Sequence, residues 1–314
     1  MRILKLFGTS GNAVSKPVQA VRANISLASV SDAKHPPKVL NEISDPFNLQ
    51  SPQFLQKIFT SLNIREKIVN RLMLKPSKEE YSHPSKSGLE YKDVFISTLD
   101  GESLHGYYLP SPETAPADKI MIFFHGYDKN VTSWFPACAN IQRHVPINAL
   151  IMDYRGYGKS TGTPSTKGLI TDALATYNYL IENGFKGENI SLYGQSLGSA
   201  VALELASRVK VRSLVVQSSY HSFKNLISYH HPFIPSFLIK NDLFNPTQLI
   251  KKINVPILIG HGAEDKISPV ANGKLLYSLA NEPKKLIVLE RAGHGHLTKY
   301  LTEEYFESIK KLFL

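Results

Sequence analysis

The stretch Ile190-Ser191-Leu192-Tyr193-Gly194-Gln195-Ser196-Leu197-Gly198-Ser199-Ala200 leaves few folds open to this chain. An apolar run able to form a strand meets Gly-x-Ser-x-Gly, and a helix-forming run through Ala206 follows at once. A serine on so sharp a strand-to-helix turn is held in strained backbone geometry with its hydroxyl clear of the sheet. Gly194 and Gly198 leave room where a side chain would collide with the neighbouring helix or strand. Three fixed positions in five recur by chance. The weight therefore rests on a strand before, a helix after and partner residues downstream.

The rest of the chain supplies that context. Tyr91 to Thr98 and Leu104 to Leu109 read as strands joined by the hairpin dipeptide Asp100-Gly101. Lys119 to Phe124 and Ala149 to Tyr154 are continuous apolar runs suited to burial on both faces. Helical spacing follows each, over Ser133 to Arg143 and Leu169 to Ile181. After the serine turn come a helix from Ser196 to Arg208 and a strand from Ser213 to Gln217. Residues 218–250 break the rhythm with nine aromatic and histidine side chains, Pro232 and Pro235 interspersed among them. Alternation then resumes: strand Val255 to Gly260, helix Pro269 to Leu279, strand Lys285 to Leu289, helix Leu297 to Phe313. Strands alternating with helices predict an α/β fold with a mostly parallel sheet.

A serine hydroxyl is a poor nucleophile until a base takes its proton, and the base must be held by a third group. An Asp or Glu and a His are therefore sought after Ser196, each in a loop behind a strand. Asp265 follows Val255 to Gly260, and His294 follows Lys285 to Leu289. Glu264 and His296 compete with them, and Asp265 read alone could simply cap the next helix. The order Ser, Asp, His at the carboxyl ends of strands is the arrangement that chemistry requires. The oxyanion of acyl transfer needs two donors. The backbone N–H of Leu197 is one, and the N–H of Tyr127, after His125-Gly126, is the expected second.

Asp153-Tyr-Arg-Gly-Tyr-Gly-Lys-Ser160, Gly162-x-Pro164, Asp172, Tyr193-Gly-Gln-Ser-Leu-Gly198, Pro256-Ile-Leu-Ile-Gly-His-Gly262 and Ala292-Gly-His294 resemble the α/β-hydrolase-domain proteins. The chain looks like their membrane-associated, depalmitoylase-type (protein acyl thioesterase) and serine aminopeptidase-like branch. Leu72-Met-Leu-Lys-Pro76 is similar to the segment leading into the domain there, so the likeness covers roughly residues 70–314. It implies an α/β-hydrolase fold with helices on both faces of the sheet and a short lid at 218–250. It also implies Ser196 as nucleophile, His294 as base and Asp265 as orienter. Gly293-His294-Gly295-His296 stands where those relatives commonly carry Gly-His-Asn-Asp. Their lipidated N-terminal cysteine cluster has no counterpart, since Cys138 is the one cysteine. Anchoring by acylation is therefore not carried over.

The expected reaction is hydrolysis of a carboxylic ester or thioester of a small molecule or an acylated protein. A peptidase-like or amidase activity, or a non-catalytic binding module on the same scaffold, are the alternatives. No cofactor is expected. His230-His231 and His294/His296 lack accompanying carboxylate or cysteine spacing, so no metal is expected either. The domains read as a basic extension over 1–50, a helical lead-in over 51–75 and the catalytic domain over 76–314.

Charge bears on partners. Of the net +10, residues 1–87 hold 13 Lys/Arg against 6 Asp/Glu, a balance of +7. A basic arm of this kind, followed by Lys57, Arg65, Lys67 and Arg71 along the lead-in, is suited to an anionic membrane surface; no nucleic acid is expected as partner. No stretch reaches the roughly 18 apolar residues that span a bilayer. A cytoplasmic protein, peripheral at a membrane, is expected. Residues 1–31, with four Lys/Arg, five Ser and no acid, keep organelle targeting or non-classical export as the alternative.

Overall fold

Eight strands form one sheet: Lys92–Ser97 (β1), Ser103–Leu109 (β2), Ile120–Phe124 (β3), Asn148–Met152 (β4), Ile190–Gln195 (β5), Ser213–Gln217 (β6), Ile257–Gly262 (β7) and Lys284–Leu289 (β8). Every position of β3 to β7 is buried, the pattern of strands covered on both faces. At the two edges, β1 and β8 alternate instead, with Val94, Ile96, Ile287 and Leu289 turned inward. The order across the sheet is β1-β2-β4-β3-β5-β6-β7-β8. β2 runs antiparallel to both β1 and β4, and all pairings from β4 to β8 are parallel. The computed structural model describes residues 67, 70, 71, 73–112, 116–230, 232–233, 244–294 and 297–314. The expected basic extension over 1–50 and most of the 51–75 lead-in lie outside them, as does His296.

Helices cover both faces. Val131–His144 (α1) and Glu303–Phe313 (α7) pack Phe135, Ile141, Ile309 and Phe313 into one cluster with Met121, Phe123, Ile151 and Val215. On the opposite face lie Thr166–Glu182 (α2), Leu197–Ala206 (α3) and Val270–Leu279 (α6). The insertion between β6 and β7 carries Phe223–His230 (α4) and Pro246–Leu249 (α5). This is the architecture expected from the sequence, with two boundaries moved. β7 begins at Ile257, past Pro256, and runs on to Gly262 because that residue pairs with Leu289 of β8. The terminal helix divides into a 3₁₀ turn at Leu297–Tyr300 and α7, because the Thr302 hydroxyl accepts a bond from the Tyr305 amide at 3.3 Å and starts a new helix. Among the described residues no helix is long and apolar enough to cross a membrane.

One buried ion pair ties the hairpin end of the sheet to α2. Arg155 donates through Nε to Asp172 Oδ1 at 2.9 Å, and its amide donates to Asp172 Oδ2 at 2.8 Å. Its Nη1 reaches the exposed Asp100 of the β1–β2 turn at 2.7 Å. Burial raises the Asp172 carboxyl above the ordinary carboxylate range, and the Arg155 bonds oppose that shift. Removing the guanidinium leaves Asp172, 2% exposed, without its counter-charge. Arg155→Met is therefore expected to cost about 3–5 kcal/mol and to lower the thermal midpoint by roughly 6–12 °C, measured by calorimetry on the two proteins.

Candidate active site

Strand register gathers four loops at one edge of the sheet. Phe124 pairs with Gly194, Gln195 with Gln217 and Leu289 with Gly262, so the chain leaves β3, β5, β7 and β8 on the same side. β4 lies on one flank of β3 and β5 on the other. Winding reverses there, and a crevice opens beyond the strand ends.

Ser196 is the first residue past β5, at φ 55° and ψ −119°. A side chain at this φ is strained by about 1–3 kcal/mol unless its surroundings over-determine it. They do. The Ser196 amide donates to the Gln217 carbonyl at 2.9 Å. A Cβ added at Gly194 would overlap the Gly198 carbonyl, and one added at Gly198 would overlap the Phe124 carbonyl. β3, β5 and α3 thus meet backbone against backbone, and the serine is the side chain left pointing outward.

The sequence-derived partners come together around it. His294 Nε2 lies 2.8 Å from Ser196 Oγ, and His294 Nδ1 lies 2.7 Å from Asp265 Oδ2. With Nδ1–H donating to the carboxylate, Nε2 is free to accept the serine proton. Asp265 Oδ1 accepts from the amides of Ile267 at 3.0 Å and Ser268 at 2.8 Å. Burial by itself raises the Asp265 carboxyl. Hydrogen bonds from His261 and His294, with the Ser268 amide behind them, outweigh it and hold the group well below the usual carboxylate range. Glu264 is exposed and makes no bond to His294 among the described residues.

His261 was not singled out as a site residue from sequence. It is fully buried, with Nε2 2.7 Å from the Ser268 carbonyl and 3.5 Å from Asp265 Oδ2. A Cβ at Gly273 would come within 2.7 Å of its Nδ1, so α6 carries glycine where the imidazole lies. In the sequence His261 falls within Pro256-Ile-Leu-Ile-Gly-His-Gly262, four residues ahead of Asp265, a stretch that carries the family likeness but gives the histidine no role of its own.

Tyr127 and Leu197 both line a cavity of about 360 Å³ with Ser196 and His294. The carbonyl of Tyr127 accepts from Tyr157 Oη at 2.7 Å and from the Lys75 amide at 2.9 Å, which fixes its loop. Neither the Tyr127 nor the Leu197 amide has an acceptor among the described residues. The cavity's other walls are Met73, Lys75, Tyr220, Leu226, Ile227, His230, Ile267 and Ser268. From the insertion, aliphatic α4 side chains reach the cavity, whereas Phe223 and Phe244 pack against one another at 5.4 Å in the core. His230 Nε2 lies 2.9 Å from the Ile267 carbonyl and ties α4 to the Asp265 loop. No group of three or more His, Cys, Asp or Glu suited to a metal occurs among the described residues.

A family model described as the alpha/beta hydrolase fold matches residues 119–238. The Escherichia coli K12 protein YfhR, itself uncharacterized, is 30% identical over 210 residues, which cover 65% of this chain and 73% of that protein. Protein bem46 of Schizosaccharomyces pombe is 29% identical over 215 residues, 67% of this chain and 72% of that one. Among solved structures, an esterase of Pyrococcus furiosus superposes with a TM-score of 0.65 at 24% identity, covering 76% of this chain and 97% of its own. An esterase from Exiguobacterium antarcticum gives 0.54 at 16%, with 70% and 98% covered. At these identities the structures speak for the fold.

The depressed Asp265 carboxyl has a signed consequence. A folded-state value below the unfolded one, about 3.9, contributes stability at neutral pH that is lost as pH falls toward the folded value. The stability difference between the protein and Asp265→Asn, from urea unfolding, is expected to hold between pH 7 and 5.5 and to shrink toward pH 3.5. A difference that stays constant over that range would show that the carboxylate is not preferentially stabilised in the fold.

Proposed function

Because the chain belongs to the α/β-hydrolase fold family, we propose that it is a serine hydrolase of carboxylic esters or thioesters, with Ser196, His294 and Asp265 as its catalytic triad. One observation carries the reading: the unbroken relay from Ser196 Oγ through His294 to Asp265, at 2.8 and 2.7 Å, opening on a cavity. Ser196 Oγ attacks the carbonyl carbon as His294 Nε2 takes its proton, and Asp265 stabilises the imidazolium through Nδ1–H. The amides of Tyr127 and Leu197 hold the oxyanion, the latter aided by the positive end of α3. Collapse of the tetrahedral intermediate expels the alcohol or thiol, protonated by His294, and leaves an acyl-serine. Water, deprotonated by His294, attacks that ester, and the second collapse returns the serine and releases the acid.

Met73, Leu197, Leu226, Ile227 and Ile267 make the walls mostly apolar, which supports an acyl group as the part held in the cavity. Each methylene buried there contributes about 0.8 kcal/mol, so rate constants for a series of acyl esters should climb with chain length until the cavity is full.

Ser196→Ala tests the assignment. The variant is expected to fold with an unchanged circular-dichroism spectrum, to lose ester hydrolysis by on the order of 10⁴–10⁶-fold, and to lose labelling by a fluorophosphonate probe. Labelling at the original rate in the alanine variant would place the nucleophile elsewhere.

A further inference from the structure

We infer that the substrate carries an anionic group, a carboxylate or a phosphate, and that Lys75 selects for it. The inference rests on the hydrolase reading and adds the charge of the substrate to it. Of the twelve side chains lining the cavity, Lys75 is the one with a permanent charge, and none is a carboxylate. Asp265 carries the nearest catalytic negative charge. It is buried behind His294 and satisfied there by His294 and two backbone amides.

Lys75 is placed, not merely exposed. Its amide donates to the Tyr127 carbonyl at 2.9 Å, and Lys75–Pro76 pairs in parallel with Asp128–Lys129, so its backbone is fixed to the loop that brings Tyr127 to the cavity. Its Nζ stands 5.7 Å from the centre of the Tyr127 ring, and both residues line the cavity. Among the described residues it has no ion-pair partner, and its bridge neighbour Asp128 makes none with it. Of the two cavity-lining histidines, His294 belongs to the relay and His230 engages the Ile267 carbonyl through Nε2. An ammonium that is held by its backbone, unpaired and turned along a carboxylate-free cavity raises the local affinity for anions. Because Lys75 is solvent-exposed, the effect is a preference of a few-fold, screened by salt.

Two matched substrate pairs test this and distinguish where the anion sits. Mono-4-nitrophenyl adipate against 4-nitrophenyl hexanoate places a carboxylate on the acyl side. Butyryl glycerol phosphate against monobutyryl glycerol places a phosphate on the alcohol side. The readout is the ratio of kcat/KM, anionic over neutral, for the full chain and for Lys75→Met, Lys75→Arg and Lys75→Glu. In at least one pair the ratio is expected at about three- to five-fold for the unmodified protein, near one for Lys75→Met, retained by Lys75→Arg and below one for Lys75→Glu, falling as salt rises from 20 to 500 mM. Ratios at or below one in both pairs, or ratios unaffected by Lys75→Met, overturn the role of Lys75 while hexanoate hydrolysis leaves the hydrolase reading standing. A protein that hydrolyses none of the four overturns both.

Discussion

The site depends on how closely three backbones approach. At Gly194 and Gly198 the separation between β5, α3 and β3 is too small for even one methyl group. That closeness turns the chain from strand to helix within a single residue and leaves Ser196 at φ 55° as the residue that absorbs the bend. The strain is sustained by neighbours on both sides: the Gln217 carbonyl takes the Ser196 amide, and the Ser199 hydroxyl bonds to the Ser196 carbonyl at 2.5 Å. The same turn sends α3 away with its first amides unsatisfied, so the proposed nucleophile and the proposed donor to its oxyanion arise from one geometric constraint.

Electrostatics at the other end of the relay answer a different difficulty. A carboxylate buried as deeply as Asp265 is costly unless its lone pairs are filled. Two backbone amides fill Oδ1, and His294 takes Oδ2. His261 holds the loop that supplies one of those amides by bonding to the Ser268 carbonyl. Ser268 also bonds through its hydroxyl to the Ser219 carbonyl at 2.5 Å, and the Ser219 and Ser199 hydroxyls lie within hydrogen-bond reach at 2.7 Å. A continuous polar path therefore runs from the acid loop beneath the cavity to the helix that starts at the nucleophile. A shift in either end is resisted by the other.

The sheet and the relay were legible in the sequence because each has a strong local signature. Largely apolar runs marked β3 to β7, and glycines and strand ends bracketed Ser196, Asp265 and His294. What escaped is what depends on distance in space. His261 acts through Ser268, seven residues on, a contact that the His261-Gly262 motif does not specify. Lys75 and Met73 reach the cavity because Lys75–Pro76 pairs with Asp128–Lys129, a two-residue contact with no periodicity to betray it. In the insertion, of the aromatic and histidine residues that draw attention by composition, Phe223 and Phe244 are core packing, while Tyr220 and His230 line the cavity beside Leu226 and Ile227.

That division follows the physics of the fold. The groups of the relay sit just past rigid parallel strands, where half an ångström of error would cost rate, and the sheet register sets them. The cavity walls come in part from the lead-in segment and the insertion, which the sheet does not hold, and in part from the loops that carry Tyr127, Ile267 and Ser268. There, apolar walls contribute about 0.8 kcal/mol for each methylene they cover, against at most about 1 kcal/mol from one exposed ammonium. On the proposed reading, fit to an acyl chain would be the larger part of selection, with Lys75 deciding between chains that fit equally well. The polar path beneath the cavity passes through Ser219, at the start of the insertion, between Ser199 and Ser268, so a change there would be felt at the relay.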